Sequence, residues 1–151
     1  MNKEKEVGTP ILEYVNIGGY APTQGYETDT GWDLYTNHDV TIMPGQFKDV
    51  HTGISVKLPE GVWAMVTGRS STGRKHGLRV EVGIIDNGYT GELFVGVWNI
   101  SDKPVHIMKG MRLAQLILFN RVDVKWIRTE KLEKTARGSM GFGSTGVGKY
   151  E

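Results

Sequence analysis

A chain of 151 residues is long enough to bury a sizeable core within one domain. Its 18 Lys and Arg residues nearly balance its 17 Asp and Glu residues, so charge gives no reason to expect nucleic acid or a membrane surface as the main partner. The absence of cysteine excludes disulfides, thiolate nucleophiles and cysteine-based zinc sites, and the lack of a long apolar run or a signal peptide leads us to expect a cytoplasmic protein.

Short apolar segments, separated by turn residues about every 8–12 positions, predict an all-β sandwich, jelly roll or barrel. In chain order, strands are expected over residues 11–17, 30–36, 40–43, 50–58, 62–67, 78–85, 92–100, 105–108, 112–119 and 122–127. One or two turns of helix are predicted through Lys75, because Ser70 and Ser71 can cap the start. Residues 129–135 are compatible with a second short helix or with a solvated charged segment. The glycine-rich residues 137–151 are expected to be mobile unless they close over a ligand.

The stretch 83–92 contains Asn87-Gly88, the strongest hairpin signal in the chain. A two-residue type I′ turn needs positive φ at both central positions, which asparagine and glycine tolerate. The apolar segments on either side are therefore expected to be the two arms of a central hairpin, with Asp86 and Tyr89 flanking the turn. Unpaired backbone groups along its inner edge could form hydrogen bonds with the edge of a flat ligand, although an ordinary surface hairpin has the same composition.

Two further segments combine an arginine with hydroxyl groups and glycines. In residues 68–71, Arg69 offers a planar fork for phosphate oxygens beside the start of the predicted helix, and the alternative is a plain helix cap with a surface arginine. In residues 137–146, a single aromatic residue, Phe142, lies among glycines and hydroxyls. That composition suits a flap that stacks on a base and holds a terminal phosphate, but it also suits a disordered tail.

Two polar residues interrupt predicted apolar strands. Gln115 lies within the strand over residues 112–119, where a buried amide needs hydrogen-bond partners, so it either bonds to backbone or faces a ligand. Asp33 is compatible with a turn partner at the end of a strand and with a carboxylate in the water shell of a metal ion. The 4 histidines lie apart, without the spacing of metal ligands.

Taken together and in this order, these segments resemble the five motifs of the trimeric dUTPase family. The motifs correspond to residues 30–34, 68–71, 83–92, 109–117 and 137–146, which span nearly the whole chain without a large insertion. The resemblance implies an all-β, jelly-roll (β-clip-like) domain over residues 1–136 with one short helix, followed by a flexible glycine-rich arm over residues 137–151. It also implies a homotrimer whose shared active sites are each closed by the arm of a neighbouring subunit.

The resemblance further implies a dUTP diphosphatase that hydrolyses dUTP to dUMP and pyrophosphate, which keeps uracil out of DNA and supplies dUMP for dTMP synthesis. Asp86 is expected to activate the water that attacks the α-phosphorus, and Asp33 is expected to hold the water shell of Mg²⁺ on the phosphates. The residues expected to bind substrate are Arg69, Ser70, Ser71, Gly83, Ile84, Ile85, Tyr89, Phe94, Gln115, Arg137, Phe142, Gly143, Ser144 and Thr145.

These residues are expected to contact different parts of the nucleotide. Backbone groups of residues 83–86 and Phe94 would pair with uracil, and Phe142 would stack on it. Tyr89 would pack under the deoxyribose and exclude a 2′-hydroxyl. The phosphate chain near the bond that breaks would be held by Arg69, Ser70, Ser71 and Gln115. The terminal phosphate would be bound by Arg137, Ser144 and Thr145.

Two alternative functions stay open. A dCTP deaminase is similar in fold and phosphate handling, but it needs a glutamate beside the base, and the nearby glutamates, Glu81 and Glu92, do not sit in its pattern. A dUTP-gated regulatory protein is also compatible, because an arm that orders on nucleotide binding can expose or hide a partner surface.

Overall fold

The computed structural model describes residues 8–143, except for the side chains of residues 73–75. This part of the chain forms two four-stranded sheets and a two-stranded ribbon. In chain order its elements are β1 (Glu13–Asn16), β2 (Gly31–Tyr35), β3 (Val40–Ile42), β4 (Phe47–Lys57), β5 (Val62–Gly68), α1 (Ser70–His76), β6 (Leu78–Val80), β7 (Gly83–Ile85), β8 (Glu92–Asn99), β9 (Val105–Ile107) and β10 (Arg112–Asn120).

The chain passes repeatedly from one sheet to the other, as expected for a jelly roll. The first sheet has the order β1-β4-β8-β6 and the second β2-β10-β5-β7, while β3 and β9 form the ribbon. All these pairs are antiparallel, and α1 connects the second sheet to the first. The expected fold class is confirmed. No helix within residues 8–143 is long and apolar enough to cross a membrane.

Both sheets contribute alternate side chains to one hydrophobic core. In β8, for example, Leu93, Val95 and Val97 are buried whereas Phe94 is exposed. Burial of each such aliphatic side chain stabilises the fold by about 1.5–3 kcal/mol. The other buried apolar residues of this core are Leu34, Ile42, Val50, Ile54, Val56, Leu58, Ala64, Val66, Leu78, Ile107, Leu113, Ala114 and Leu116.

The pairing expected for the central hairpin is wrong. The segment predicted as one strand over residues 78–85 is divided, since β6 pairs with β8 whereas β7 pairs with β5 in the other sheet. The division has a physical reason, because Ile85 packs against the core from the second sheet and the chain has to leave β8 to reach it. The Glu81 amide still donates to the Gly96 carbonyl at 2.8 Å, just before the two arms separate.

The turn after β7 also differs from the expected type. The Tyr89 amide donates to the Asp86 carbonyl at 3.1 Å, which closes a four-residue β-turn. Gly88 has a φ of 101°, whereas Asn87 is not among the residues with positive φ. A type I′ turn is therefore excluded. The geometry is that of a type II turn, in which only the third residue needs positive φ and glycine is favoured there.

The strand predicted over residues 122–127 does not form in the isolated chain. Val122, Val124 and Trp126 alternate with polar residues as in a strand, but they are 79%, 67% and 92% exposed. A strand needs a hydrogen-bonding neighbour, and none of the described strands pairs with this segment. Residues 129–135 form no helix, so the solvated charged segment is the correct alternative there.

The outer face of the second sheet is apolar along part of its length. Ile84, Met65 and Ile117 stand opposite one another on β7, β5 and β10. Next to them, Trp63 stacks on Phe119 with ring centroids 4.4 Å apart. Ile84 is 55% exposed and Phe119 is 36% exposed. A contiguous patch of this kind is typical of a surface that another protein covers.

Candidate active site

Asp33 on β2 lies between two guanidinium groups. Arg69 Nε lies 3.0 Å from Asp33 Oδ1, and Arg112 Nη1 lies 3.8 Å from Asp33 Oδ2. The topology brings them together, because β10 begins at Arg112 between β2 and β5, and Arg69 directly follows β5. The Asp33 side chain is only 17% exposed, so these two guanidiniums replace much of the water around its carboxylate.

Further contacts hold Arg112 beside this carboxylate. Its guanidinium carbon lies 5.8 Å from the centre of the Tyr35 ring. The Tyr35 hydroxyl shares a hydrogen bond with Thr23 Oγ1, and the backbone of Thr23 pairs with that of Asp33. Asp33, Arg112, Tyr35 and Thr23 therefore form a closed ring of contacts at the edge of the second sheet, which restricts the position of the carboxylate.

Gln115 lies in the same row of the sheet, opposite Asp33 on β2 and Thr67 on β5. Its Nε2 donates to the Gly68 carbonyl at 3.1 Å, so the amide finds a backbone partner as one of the two expectations requires. Its Oε1 lies so close to Gly31 that a Cβ at this glycine would overlap it. The glycine therefore gives the amide of Gln115 room beside Asp33.

These residues line an open cleft of about 330 Å³. Two acidic residues, Asp29 and Asp33, and two basic residues, Arg69 and Arg112, line it, so opposite charges are balanced before a ligand binds. Guanidiniums match phosphate oxygens in geometry, and two nearby carboxylates favour a divalent cation on the same ligand. The remaining residues of the cleft are Gly25, Thr30, Gly31 and Gln115.

The two serines predicted to bind phosphate begin α1 directly after Arg69. Ser70 is exposed and Ser71 is half-buried. The next residue, Thr72, is buried and donates from Oγ1 to the Leu113 carbonyl at 3.2 Å, which ties the first turn of α1 to β10. The serine hydroxyls are therefore carried next to Arg69 by an anchored turn.

A slot opens between β7 and the start of β8, because the chain leaves β8 after β6 and β7 joins the other sheet. β6 covers only residues 97–99 of β8, so residues 92–95, which include Phe94, have no strand along that edge in the part of the chain that is described. β7 is the outermost strand of its own sheet, so its residues also have one unpaired edge: Gly83, Ile84 and Ile85. Backbone donors and acceptors of both arms are therefore free to bind a ligand in the slot.

The turn beside the slot is anchored to β5. Asn87 Nδ2 donates to the carbonyls of Pro59 and Val62, at 2.8 Å in both cases. Asp86, which precedes it, is exposed in the single chain. The backbone of Asp86 is thus held against the fold while its carboxylate stays accessible.

Tyr89 lies at the other end of this turn. Its Oη donates to the Glu92 carbonyl at 2.8 Å. Its ring lies on Gly91, where a Cβ would come within 2.6 Å of Oη. The Tyr89 side chain is held by the backbone of Gly91 and Glu92 and remains 42% exposed, so a ligand can pack on its open face.

The cleft and the slot lie apart within one chain. Asp33 is in register with Thr67 of β5, whereas Asp86 follows the residue of β7 that stands opposite Ala64. Three strand spacings and about four residues along a strand separate the two aspartates, which corresponds to about 20 Å. Because Asp86 cannot reach a phosphate held by Arg69 over that distance, a single chain does not bring the predicted site together.

The residues predicted in the glycine-rich arm also stand away from the cleft. Arg137 donates from Nε to the Met140 carbonyl at 2.7 Å, and Phe142 is fully exposed with a φ of 49°. Gly143 is exposed as well. Ser144 and Thr145 lie outside the described residues.

The carboxylates of the cleft fit a metal ion that arrives with its ligand. Within residues 8–143, no group of three or more His, Asp or Glu side chains could hold a metal ion on its own. Magnesium keeps several waters and binds through one or two carboxylates together with substrate phosphates. Asp29 and Asp33 supply such carboxylates beside the two guanidiniums.

The family model of the dUTPases matches residues 19–146. The chain belongs to the dUTPase family. Two similar relatives, both deoxyuridine 5′-triphosphate nucleotidohydrolases, come from Clostridium novyi (35% identical over 91% of this chain and 98% of that protein) and Debaryomyces hansenii (43% over 83% and 79%). Among solved structures, the dUTPase of Staphylococcus bacteriophage 80alpha with dUpNHpp has a TM-score of 0.86 at 27% identity, over 92% of this chain and 100% of that one.

Enzymes of the dUTPase family depend on a divalent metal ion, in agreement with the carboxylates of the cleft. Sequence reasoning missed Arg112 and Asn87 as parts of the site. Arg112 carries a signal, since it lies in the same predicted strand as Gln115 and within the fourth motif. The sequence gives no signal for the role of Asn87 beyond its preference for turns, because its two carbonyl partners are 28 and 25 residues away in the sequence.

Proposed function

We propose that this chain hydrolyses dUTP to dUMP and pyrophosphate by Mg²⁺-assisted attack of water on the α-phosphorus. Family membership gives the reaction class, a nucleotide hydrolase that acts on dUTP. The observation that carries the substrate choice is the slot between β7 and β8, where unpaired backbone groups lie beside an anchored aspartate. The reaction keeps uracil out of DNA and supplies dUMP for dTMP synthesis, and we place it in the cytoplasm.

Uracil binds in the slot, where backbone groups of residues 83–86 and Phe94 take the part of a complementary base. Cytosine presents a donor where uracil has an acceptor, and each buried group left unpaired costs about 1–3 kcal/mol. The methyl group of thymine would have to enter the rigid turn, and such exclusion discriminates more strongly than a missing contact does. Phe142 from an arm stacks on the base, and Tyr89 packs under the deoxyribose and leaves no room for a 2′-hydroxyl.

The phosphate chain binds in the cleft. The guanidinium of Arg69 keeps further donors for phosphate after its ion pair with Asp33, because it has five N–H groups. Asp33 would hold the water shell of Mg²⁺, which would supply charge neutralisation on the phosphates. The other phosphate-binding residues come from the cleft and from an arm: Ser70, Ser71 and Gln115, then Arg137, Gly143, Ser144 and Thr145.

Asp86 orients the attacking water and accepts its proton. A general base must lie within hydrogen-bond reach of the water it deprotonates, which requires a fixed backbone. The type II turn and the two bonds from Asn87 supply that rigidity. The carboxylate faces solvent in the single chain, so a bound nucleotide and a neighbouring subunit have to exclude bulk water from the reaction.

Three copies of the chain form the working enzyme, and each site takes its cleft, its slot and its arm from different copies. The separation of about 20 Å between Asp33 and Asp86 supports this arrangement. So do the exposed apolar face around Trp63 and Phe119 and the unpaired alternating segment 122–127. Residues 1–136 form the β domain of each copy, and residues 137–151 form the arm.

Pyrophosphate release from dUTP, dTTP, dCTP and UTP in the presence of Mg²⁺ tests the proposal. We expect turnover of dUTP alone and no ammonia from dCTP, which distinguishes this chain from a dCTP deaminase. Equal turnover of dUTP and UTP would contradict the position given to Tyr89. Ammonia release from dCTP without pyrophosphate release from dUTP would overturn the proposed reaction.

One observation favours a second function, dUTP-gated control of a partner protein. The Staphylococcus bacteriophage 80alpha dUTPases, to which this chain is similar in structure, control transfer of virulence genes by a G protein-like mechanism. Pull-down of partners with and without dUpNHpp tests whether nucleotide changes what this chain binds. Identical capture in both states would exclude gating.

A further inference from the structure

A carboxylate outside the proposed catalytic groups bridges two strands beside the slot. Glu92, the first residue of β8, has Oε2 2.6 Å from Nδ1 of His51 on β4, and its Oε1 accepts from the Gly53 amide at 3.1 Å. Both carboxylate oxygens are therefore engaged. The Glu92 side chain is only 27% exposed, so these bonds are partly shielded from water.

The bridge holds β8 against an irregular point of β4. The pairing of β4 with β8 shifts register at a bulge around Gly53, which has a φ of 72°. In the same bulge, buried Thr52 donates from Oγ1 to the Leu93 carbonyl at 2.6 Å. The first two residues of β8 are thus each bonded to the bulge, and the start of β8 cannot slide along β4 without breaking those bonds.

The backbone of Glu92 is also the anchor of Tyr89. The Tyr89 hydroxyl donates to the Glu92 carbonyl at 2.8 Å, while the side chain of Glu92 reaches β4. Only Thr90 and Gly91 separate the two residues, so a shift of the Glu92 carbonyl is passed directly to the tyrosine ring.

We propose that the Glu92–His51 pair positions Tyr89 and thereby sets the discrimination against a 2′-hydroxyl. The inference rests on the proposed function, in which Tyr89 packs under the deoxyribose. Glu92 and His51 act through Tyr89 without touching the substrate and are positioning residues. His51 also meets the ring of Phe94 edge-on, with centroids 4.9 Å apart, and so supports the strand that borders the slot.

Loss of this pair is expected to change specificity more than stability. The core beneath it is filled by Leu93 and its buried neighbours, whereas the His51 side chain is 53% exposed. A side-chain contact with one partner this exposed contributes little to the free energy of unfolding. The melting temperature of variants at either residue is therefore expected to stay close to that of the wild type.

The test compares kcat/KM for dUTP and for UTP in wild type, Glu92→Ala, Glu92→Gln and His51→Ala. Glu92→Ala and His51→Ala are expected to lower the dUTP/UTP ratio by about tenfold, the size expected for one net hydrogen bond. Glu92→Gln, which keeps an oxygen for the Gly53 amide, should recover part of the ratio. His106→Ala is the matched control, because His106 bonds across the β3–β9 ribbon to Thr41 at 2.7 Å, and its ratio should be unchanged.

The variant Tyr89→Phe supplies an independent readout. The Tyr89 hydroxyl and the Glu92–His51 pair hold the same ring. The dUTP/UTP ratio of the double variant Tyr89→Phe/Glu92→Ala should therefore be no lower than the lower of the two single-variant ratios. Additive losses would overturn the positioning role.

The outcomes separate this inference from the proposed function. A wild-type protein that does not hydrolyse dUTP refutes the proposed function. A wild-type protein that prefers dUTP, with an unchanged ratio in Glu92→Ala and His51→Ala, refutes only the positioning role. If Glu92→Ala does not fold, His51→Ala decides, since its side chain is largely exposed.

Discussion

At the scale of single residues, two aspartates of the proposed site have opposite surroundings. Asp33 is largely buried between Arg69 and Arg112, whereas Asp86 is exposed beside a rigid turn. A carboxylate held between two guanidiniums that can bind phosphate is suited to holding the waters of a metal ion on the same ligand. An accessible carboxylate on a fixed backbone is suited to reaching a water molecule, so the two surroundings support the two proposed roles.

Asp86→Asn is expected to lower kcat for dUTP by a factor of about 10²–10⁴, because the amide cannot accept the proton of the attacking water. Binding of dUpNHpp, measured by isothermal titration calorimetry, should persist. Asp102→Asn, at an exposed carboxylate between β8 and β9, is the control. Turnover of Asp86→Asn close to the wild-type rate would show that another group is the base.

Gly31→Ala is expected to destabilise the protein by about 1 kcal/mol, because the new Cβ overlaps Oε1 of Gln115 and moves that amide away from the Gly68 carbonyl. Thermal unfolding measures the change, and KM for dUTP should rise as the cleft loses its shape. Gly8→Ala serves as a control, since a Cβ there meets nothing within 4 Å. Equal melting temperatures for the two variants would show that the close approach of Gly31 and Gln115 carries no constraint.

At the scale of elements, local alternation predicted most strands within a residue or two. The strands predicted over 62–67, 92–100 and 112–119 correspond to β5, β8 and β10. The sheet to which a strand belongs could not be predicted in this way, because β6 and β7 read as one apolar segment yet pair with different sheets. The slot results from that division, so the alternation of apolar residues could not predict it. Unpaired backbone groups were nevertheless expected along the inner edge of the hairpin.

The anchoring of the turn can be tested with Asn87→Ala. Loss of the bonds to the Pro59 and Val62 carbonyls should let Asp86 move, and misplacement of a catalytic group by about 1 Å can cost on the order of 10²-fold in rate. We expect kcat to fall more than KM rises in steady-state assays. Asn120→Ala, at the exposed end of β10, is the control. A kcat equal to that of the control would mean that the β-turn alone holds Asp86.

At the scale of the whole molecule, the fold follows from one chain but the proposed site does not. Asp33, Arg69 and Gln115 come from three different strands or their ends, and their meeting depends on sheet order, which local sequence does not encode. The order of the five motifs indicated that they belong together. The strand predicted over residues 122–127 is wrong because, among the described residues, no strand pairs with this segment.

Deletion of residues 137–151 is expected to reduce dUTP turnover sharply and leave a folded trimer, because the arm is proposed to close the site whereas the buried core residues lie between Leu34 and Leu116. Pyrophosphate release measures the first effect and sedimentation velocity the second. Full activity without the arm would remove its proposed part in binding the base and the terminal phosphate.

Subunit mixing tests the shared site most directly. Arg69→Ala removes a residue of the cleft and Asp86→Asn removes the proposed base, so each variant alone should be inactive. In mixed trimers, a cleft from one variant meets a slot from the other, and random mixing should restore turnover to on the order of a quarter of the wild-type rate. If native mass spectrometry finds mixed trimers and turnover stays at the level of the separate variants, the cleft and the slot do not come from different copies and the shared site is wrong.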